Sequence, residues 1–162
     1  MLRISAATCF RISSLGGVMY PNFCEILESE YSVTTEALVG QKFRTVCQVR
    51  LEAFFPNVKR NTGHWVYRGY RWHAYSFNHE VTVSGEKAFG AFQAMPIEPF
   101  YLFHEWNDNL YECTAEVWPD LRALNDDIYI FPRQLEWMFV ITHEMSIGLG
   151  PYFAHAVNEC GE

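Results

Sequence analysis

Histidine is followed directly by glutamate at three places in the chain, His79-Glu80, His104-Glu105 and His143-Glu144. An imidazole and a carboxylate can exchange protons near neutral pH or bind a metal ion. Adjacent side chains of a strand point to opposite faces of the sheet, so we expect the two members of each pair to diverge. None of the pairs has the second histidine, four residues away, that a helical zinc-protease motif requires.

Thr142-His143-Glu144 is the strongest polar candidate, because it directly follows the apolar run Trp137–Ile141. Titratable groups at the end of a buried strand are common in functional sites. Glu144 can serve there as a general base, or it can accept backbone N–H bonds from the Gly148–Gly150 turn and fix that loop. We favour the structural role.

A candidate pocket or interaction site is expected at one end of the sheet. Its predicted residues are His143, Glu144, His73, Tyr75, Trp137 and Tyr152. We assign no catalytic residue and expect no metal and no cofactor. A metal site assembled from different strands, for example by His73, His104 and His143, is a less favoured alternative to histidines that are simply hydrogen-bonded at strand ends.

No nucleophile stands in an activating context. The sequence has no Gly-x-Ser-x-Gly motif, and Cys113 adjoins Glu112, whose charge would raise the thiol pKa. Asp126-Asp127 precede a strand and can bind a metal ion, although we favour a solvated turn. The five cysteines are scattered, odd in number and without a Cys-x-x-Cys pair, which indicates reduced thiols in the cytoplasm.

The amino-acid composition limits the kinds of partner that the protein can bind. The 162 residues are 49% apolar and 17% aromatic, which suffices for one hydrophobic core. The net charge of −7, with acidic residues spread along the sequence, disfavours nucleic acid, since phosphates require clustered Lys and Arg. The basic and aromatic segment Val58–His73 is better explained by strands with arginines on a solvated face. No apolar run approaches the ~20 residues of a membrane span, so no membrane partner is expected.

Helical patterns dominate the first half of the sequence. Pro21–Tyr31 has the pattern of a short helix, and Thr34 or Thr35 is expected to cap a longer helix that stops before Pro56. Trp65–Phe77 alternates and predicts one or two strands with a bulge or a tight bend at Gly69. A further helix is expected from Ser84 through Met95.

Strand patterns dominate the second half. Phe100–Trp106 and Leu110–Val117 predict a hairpin, and strands are expected at 126–131, Leu135–Thr142 and Tyr152–Ala156. The fold class is therefore α+β: a single domain with a mostly antiparallel sheet of about five strands and helices packed on one face. We place the domain at residues 19–162 and an N-terminal appendage at residues 1–18.

Part of the sequence resembles a family. Trp137-x-Phe139-Val140-x-Thr142-His143-Glu144, followed by Gly150-Pro151-Tyr152-Phe153, is similar to the C-terminal signature of an uncharacterised bacterial domain-of-unknown-function family. The segment Trp72–Phe77 and the helix Ala88–Phe92 also resemble its members, although Met138-Phe139 stands where the family often has Thr-Tyr. The resemblance covers about residues 35–155. It implies a small cytoplasmic bacterial α+β protein and supplies no catalytic role.

These observations favour a non-enzymatic, protein-binding or accessory protein of an immunity-like kind. The acidic charge suits a basic protein partner, because complementary fields accelerate association. The alternative is a small-ligand-binding protein or enzyme with a pocket lined by His143 and Glu144. A homodimer that pairs through the aromatic segment Trp65–Tyr75 is a third hypothesis.

Overall fold

The computed structural model describes residues 22–157, and these are organised around a seven-stranded antiparallel sheet. The strands are β1 (Thr34–Ala37), β2 (Val83–Ser84), β3 (Phe100–His104), β4 (Asn109–Thr114), β5 (Ile128–Pro132), β6 (Trp137–Ile141) and β7 (Tyr152–His155). Their order across the sheet is β1-β4-β3-β5-β6-β7-β2. The predicted hairpin is confirmed as β3 and β4, and the predicted C-terminal strands as β5, β6 and β7. The appendage expected over residues 1–18 lies outside the described residues.

Five α-helices accompany the sheet within the described residues. They are α1 (Phe23–Tyr31), α2 (Gly40–Phe54), α3 (Pro56–Thr62), α4 (His73–Ser76) and α5 (Glu86–Gln93). Two single turns of 3-10 helix follow at Leu121–Leu124 and Met145–Ile147. None of the helices of residues 22–157 combines the length and the apolar character needed to cross a bilayer.

Helices cover both faces of the sheet, so the expectation of helices on one face is wrong. Strands β3, β5 and β6 are buried at every position. Their alternate residues enter two separate cores: Leu102 packs in the core with α1 and α5, and Phe103 in the core with α2, α3 and α4. We call these the α1 layer and the α2 layer. Strands that are apolar at every position need cover on both sides.

The two edge strands account for the difference between about five predicted strands and seven. Thr34 and Thr35 do not cap a helix; they pair with Thr114 and Cys113 of β4. Ser84 likewise does not cap a helix but pairs with Tyr152 of β7. Such short strands are defined by a distant partner rather than by a local pattern.

The segment Trp65–Phe77 does not form the predicted strands. Tyr67 and Tyr70 form one isolated antiparallel bridge around Arg68-Gly69. The φ angles of Arg68 (54°) and Gly69 (94°) match a type I′ turn, so Gly69 does lie at a tight bend. The backbone then enters the short helix α4. The alternation of residue types in this segment therefore arises from a tight turn followed by one helical turn, and not from a strand.

The loop after β6 is held by Thr142. Its hydroxyl donates to the backbone carbonyl oxygen of Leu149 and accepts the N–H of Glu144 at 3.3 Å. The backbone carbonyl oxygen of Glu144 accepts the N–H groups of Ile147 and Leu149 at 3.1 and 3.2 Å. The end of β6 is thus tied to the Gly148–Gly150 turn by Thr142 and by the backbone of Glu144, and not by the Glu144 carboxylate as we predicted.

Replacing Gly150 by alanine is expected to lower the free energy of unfolding by about 2 kcal/mol. Gly150 has a φ of 106°, and an added Cβ would lie 3.1 Å from both Cγ2 and Oγ1 of Thr142. Gly148→Ala is the matched control, because its φ is 88° but nothing lies within 4 Å of its Cβ position. Urea denaturation should therefore show a loss of only about 1 kcal/mol for the control. Equal losses would contradict the role of the Thr142 contact.

Candidate functional site

Asp127 is a fully buried carboxylate at the start of β5, with 0% of its surface exposed. It accepts the backbone N–H of His143 at 3.1 Å and faces Nδ1 of the same residue at 2.9 Å. It also accepts the indole Nε1–H of Trp106 at 2.7 Å. These donors compensate the loss of hydration of the carboxylate. The expected solvated turn is therefore wrong for Asp127, which instead fixes the rings of His143 and Trp106.

The Asp127 contact sets the orientation of the His143 imidazole. A carboxylate only accepts hydrogen bonds, so Nδ1 carries the proton and Nε2 is directed to the surface. Nε2 lies 3.7 Å from Oε1 of Glu144, and the His143 side chain is 26% exposed. The expected divergence of this pair is wrong, because β6 ends at Ile141 and both residues lie beyond the strand.

The His104-Glu105 pair does diverge. His104 is the last residue of β3, and its Nε2 lies 3.0 Å from the carboxylate of Asp126. Its ring also packs against Phe23 of α1, so it lies on the side of the α1 layer. The Glu105 carboxylate lies on the side of the α2 layer, with Arg71 as its ion-pair partner. His104 is thus separated from His143 and His73.

Glu105 ties the segment before α4 to the sheet. Its carboxylate accepts the backbone N–H of Arg71 at 2.9 Å and the guanidinium Nη1–H of the same residue at 3.0 Å. It also accepts the hydroxyl of Tyr129, whose oxygen in turn accepts the backbone N–H of Trp72 at 2.9 Å. The segment Arg71-Trp72 is therefore held by two backbone N–H groups and by the Arg71 guanidinium.

A continuous row of rings lies over this framework. We call it the aromatic surface; its members are Tyr67, Tyr70, His73, Phe77, His79, Trp106 and His143. Neighbouring rings have centroids 4.8 to 5.9 Å apart. Trp106 is 58% exposed and Phe77 is 43% exposed. The row therefore has an exposed ring at each end, with partly buried rings in contact between them.

The two ends of the aromatic surface carry opposite charges. At one end the exposed guanidinium of Arg68 lies 5.4 Å from the ring centroid of Tyr67 and 4.9 Å from that of Phe77. At the other end, near Trp106 and His143, are the carboxylates of Glu144 and Asp108. We call these the Arg68 end and the Trp106 end; the ring of His73 lies between them.

The arrangement offers two imidazoles for proton transfer: the ring of His73, whose Nδ1 lies 3.2 Å from the hydroxyl oxygen of Ser76, and Nε2 of His143. Within residues 22–157, no hydroxyl or thiol is hydrogen-bonded to Nε2. Burial lowers the pKa of His73, which favours its neutral form. Among these same residues, no group of three or more His, Cys, Asp or Glu is arranged to hold a metal ion.

A surface depression of about 600 Å³ lies elsewhere, between the start of α5 and the loop after β6. Its lining residues are Gly85, Glu86, Asp120, Arg122, Ala123, Met145, Ser146, Gly150 and Pro151. Neither His143 nor Glu144 contributes to it. The depression therefore gives no support to a ligand pocket lined by these two residues.

The structure brings together only part of the predicted site. His143, Glu144 and His73 lie at the same end of the sheet. Tyr75 and Tyr152 contact each other, with centroids 5.5 Å apart, but both are buried in the α2 layer. Trp137 lies in the α1 layer on the opposite face.

Trp106, Asp127, Tyr70 and Arg68 were not among the predicted site residues. Two of them had a signal in the sequence. Arg68-Gly69 between two tyrosines fits a two-residue turn, and Trp106 directly precedes the polar turn Asn107–Asn109, where a large ring tends to be exposed. The burial of Asp127 had no local signal.

Comparison with known proteins gives one positive finding. A family model described as Domain of unknown function (DUF4275) matches residues 52–153, more than half of the sequence. The protein belongs to the DUF4275 family. This confirms the expectation of a family whose domain has no known function. No curated protein and no solved structure matches it. The DUF4275 match includes every residue of the aromatic surface and both of its charged ends.

Proposed function

We propose that this DUF4275 protein is a non-enzymatic protein-binding module and that the aromatic surface is its interface. The observation that carries the proposal is the continuous row of partly exposed rings, with Trp106 and Phe77 the most exposed. Contiguous apolar patches mark interaction surfaces, and Trp, Tyr and Arg contribute most of the binding energy at interfaces.

The interface is largely formed before a partner binds. Trp106 and His143 are fixed by the buried Asp127, and the segment that bears Tyr70 and His73 is fixed by Glu105. Binding to a preformed surface costs less conformational entropy than binding that must order a loop. The tight turn between Tyr67 and Tyr70 and the helix α4 therefore hold the rings in fixed positions.

The charge of the partner follows from the Trp106 end. Glu144 and Asp108 there suit a partner that presents a basic side chain to them, whatever the net charge of that partner. Complementary charges mainly accelerate association and select the partner, whereas the rings supply the contact area. An accessory protein of an immunity-like kind fits this description.

Phe77→Ala is the sharpest test, because Phe77 is exposed and its removal breaks no hydrogen bond. The tagged protein should recover a partner from an extract of its host cells, and Phe77→Ala and Trp106→Ala should each reduce that recovery at least tenfold, about 1.4 kcal/mol. Val117→Ala, an exposed apolar residue outside the aromatic surface, is the control and should change nothing. Equal recovery by all variants would refute the proposed interface.

A further inference from the structure

We infer that the partner at the aromatic surface is a second copy of this protein; the inference rests on the proposed function. The surface is self-complementary, with a cation at the Arg68 end and carboxylates at the Trp106 end. A partner of unrelated sequence would have to reproduce the opposite pattern independently. A second copy presents it without further requirement.

Arg68 has the properties of an interface residue rather than of a turn residue. Its side chain is exposed, it lies over two rings, and none of the described carboxylates lies within ion-pair distance of it. Its φ of 54° belongs to the left-handed region, where a type I′ turn favours Asn, Asp or Gly. The arginine is therefore not explained by the stability of the turn, and strained positions of this kind concentrate at functional sites.

The Trp106 end has carboxylates that are only weakly compensated. Asp108 is exposed, and its nearest cation is the guanidinium of Arg71 at 3.9 Å, which already binds Glu105. Glu144 is partly exposed and has the His143 imidazole at 3.7 Å as its nearest partner. Each carboxylate can therefore accept a guanidinium from outside the molecule.

A twofold axis satisfies both ends at once. In a twofold interface, residue i of one copy contacts residue j of the other and the reverse contact forms as well. An axis close to His73, between the two ends, places Arg68 of each copy against Glu144 of the other. The same rotation packs the rings of the two copies on each other, so the charge pairs form twice around an aromatic centre.

Light scattering or sedimentation on the full-length protein tests this directly. Measurements belong at about 0.15 M salt, where a Debye length of about 8 Å screens the repulsion of two acidic copies. The mass is expected to rise with concentration from 18.9 kDa towards twice that value. Arg68→Glu and Glu144→Arg should each weaken dimerisation at least tenfold, because each places like charges together at two symmetric positions. The double variant Arg68→Glu/Glu144→Arg should restore it to within about threefold of the parent.

Arg68→Asn separates the loss of dimerisation from a loss of stability. Asparagine suits the turn, so the melting temperature should stay the same or rise while dimerisation falls. A parent protein that stays at 18.9 kDa at every concentration overturns the dimer. So does a dimer that is unaffected by the single charge reversals or not restored by the double one. The extract experiment with Phe77→Ala tests the proposed interface separately. If the protein is a monomer but recovers another protein from the extract, and Phe77→Ala abolishes that recovery, the aromatic surface binds a different partner. The proposed function then stands and the dimer is wrong.

Discussion

Asp127→Ala is expected to lower the free energy of unfolding by about 3 kcal/mol. The buried carboxylate accepts a backbone N–H and an imidazole N–H from His143 and the indole N–H of Trp106. Its removal leaves these donors without an acceptor and opens a void at the start of β5. Hydrogen bonds to a charged group contribute more than neutral ones, so this loss exceeds that of a surface substitution.

Urea denaturation measures the loss, with Asp108→Ala as the matched control. Asp108 is an exposed aspartate at the same end of the sheet, and its removal should cost only about 1 kcal/mol, which is the penalty of alanine at its φ of 49°. Asp127→Asn separates charge from shape, because the amide keeps the volume but presents N–H groups to N–H donors. We expect it to lie between alanine and the parent. A loss below about 1 kcal/mol for Asp127→Ala would contradict the anchoring role.

Arg50 gives the second large effect, and its sign depends on the replacement. The side chain is 1% exposed, and its guanidinium carbon lies 3.9 Å from the ring centroid of Phe103 and 5.6 Å from that of Tyr129. Its Nε and Nη1 have no hydrogen-bond partner among the described residues. Desolvation lowers the pKa of Arg50 to about 10, so the group remains charged at neutral pH. A buried cation is thus held mainly by ring faces.

Arg50→Met is expected to leave the free energy of unfolding unchanged or to raise it by about 1 to 3 kcal/mol, because an apolar side chain of similar length removes the desolvation cost. Arg50→Ala is expected to lower it by about 3 kcal/mol, since it leaves a cavity among the rings. Arg44→Met, an exposed position on the same helix, should change it by less than about 0.5 kcal/mol. Chemical denaturation of the three variants measures these changes in the free energy of unfolding. A methionine variant as unstable as the alanine variant would show that the charge itself is required.

The central strands could be predicted because their signals are local. Apolar runs bounded by turn residues identify β3, β4, β5 and β6 without knowledge of their partners. The edge strands β1 and β2 could not, since their hydrogen bonds come from β4 and β7, far along the sequence. The cover on both faces was legible in the uninterrupted apolar runs. The prediction of helices on one face follows instead the common antiparallel sheet, which has one solvated face.

The candidate site was less predictable than the fold. His143, Glu144 and His73 assemble near one another, but the residue that orients His143 is Asp127, from the start of a neighbouring strand. That contact depends on where β6 ends relative to β5. Likewise, the alternation of Trp65–Phe77 arises from a turn and a helical turn in succession. The spacing of apolar residues alone does not distinguish such a segment from a strand.

The burial of both sheet faces has a consequence for strand register. A slip of one residue turns every side chain to the opposite face, and where one face is polar this moves the apolar side chains into water. In β5 both faces are apolar, so a slip would exchange apolar side chains between the two layers at little hydrophobic cost. The polar contacts would all break: Tyr129 would leave Glu105, and Asp127 would leave His143. Glu105 and Asp127, which support the aromatic surface, therefore also favour the correct alignment of β5. A substitution that damages the interface is expected to make the register of this strand less specific as well.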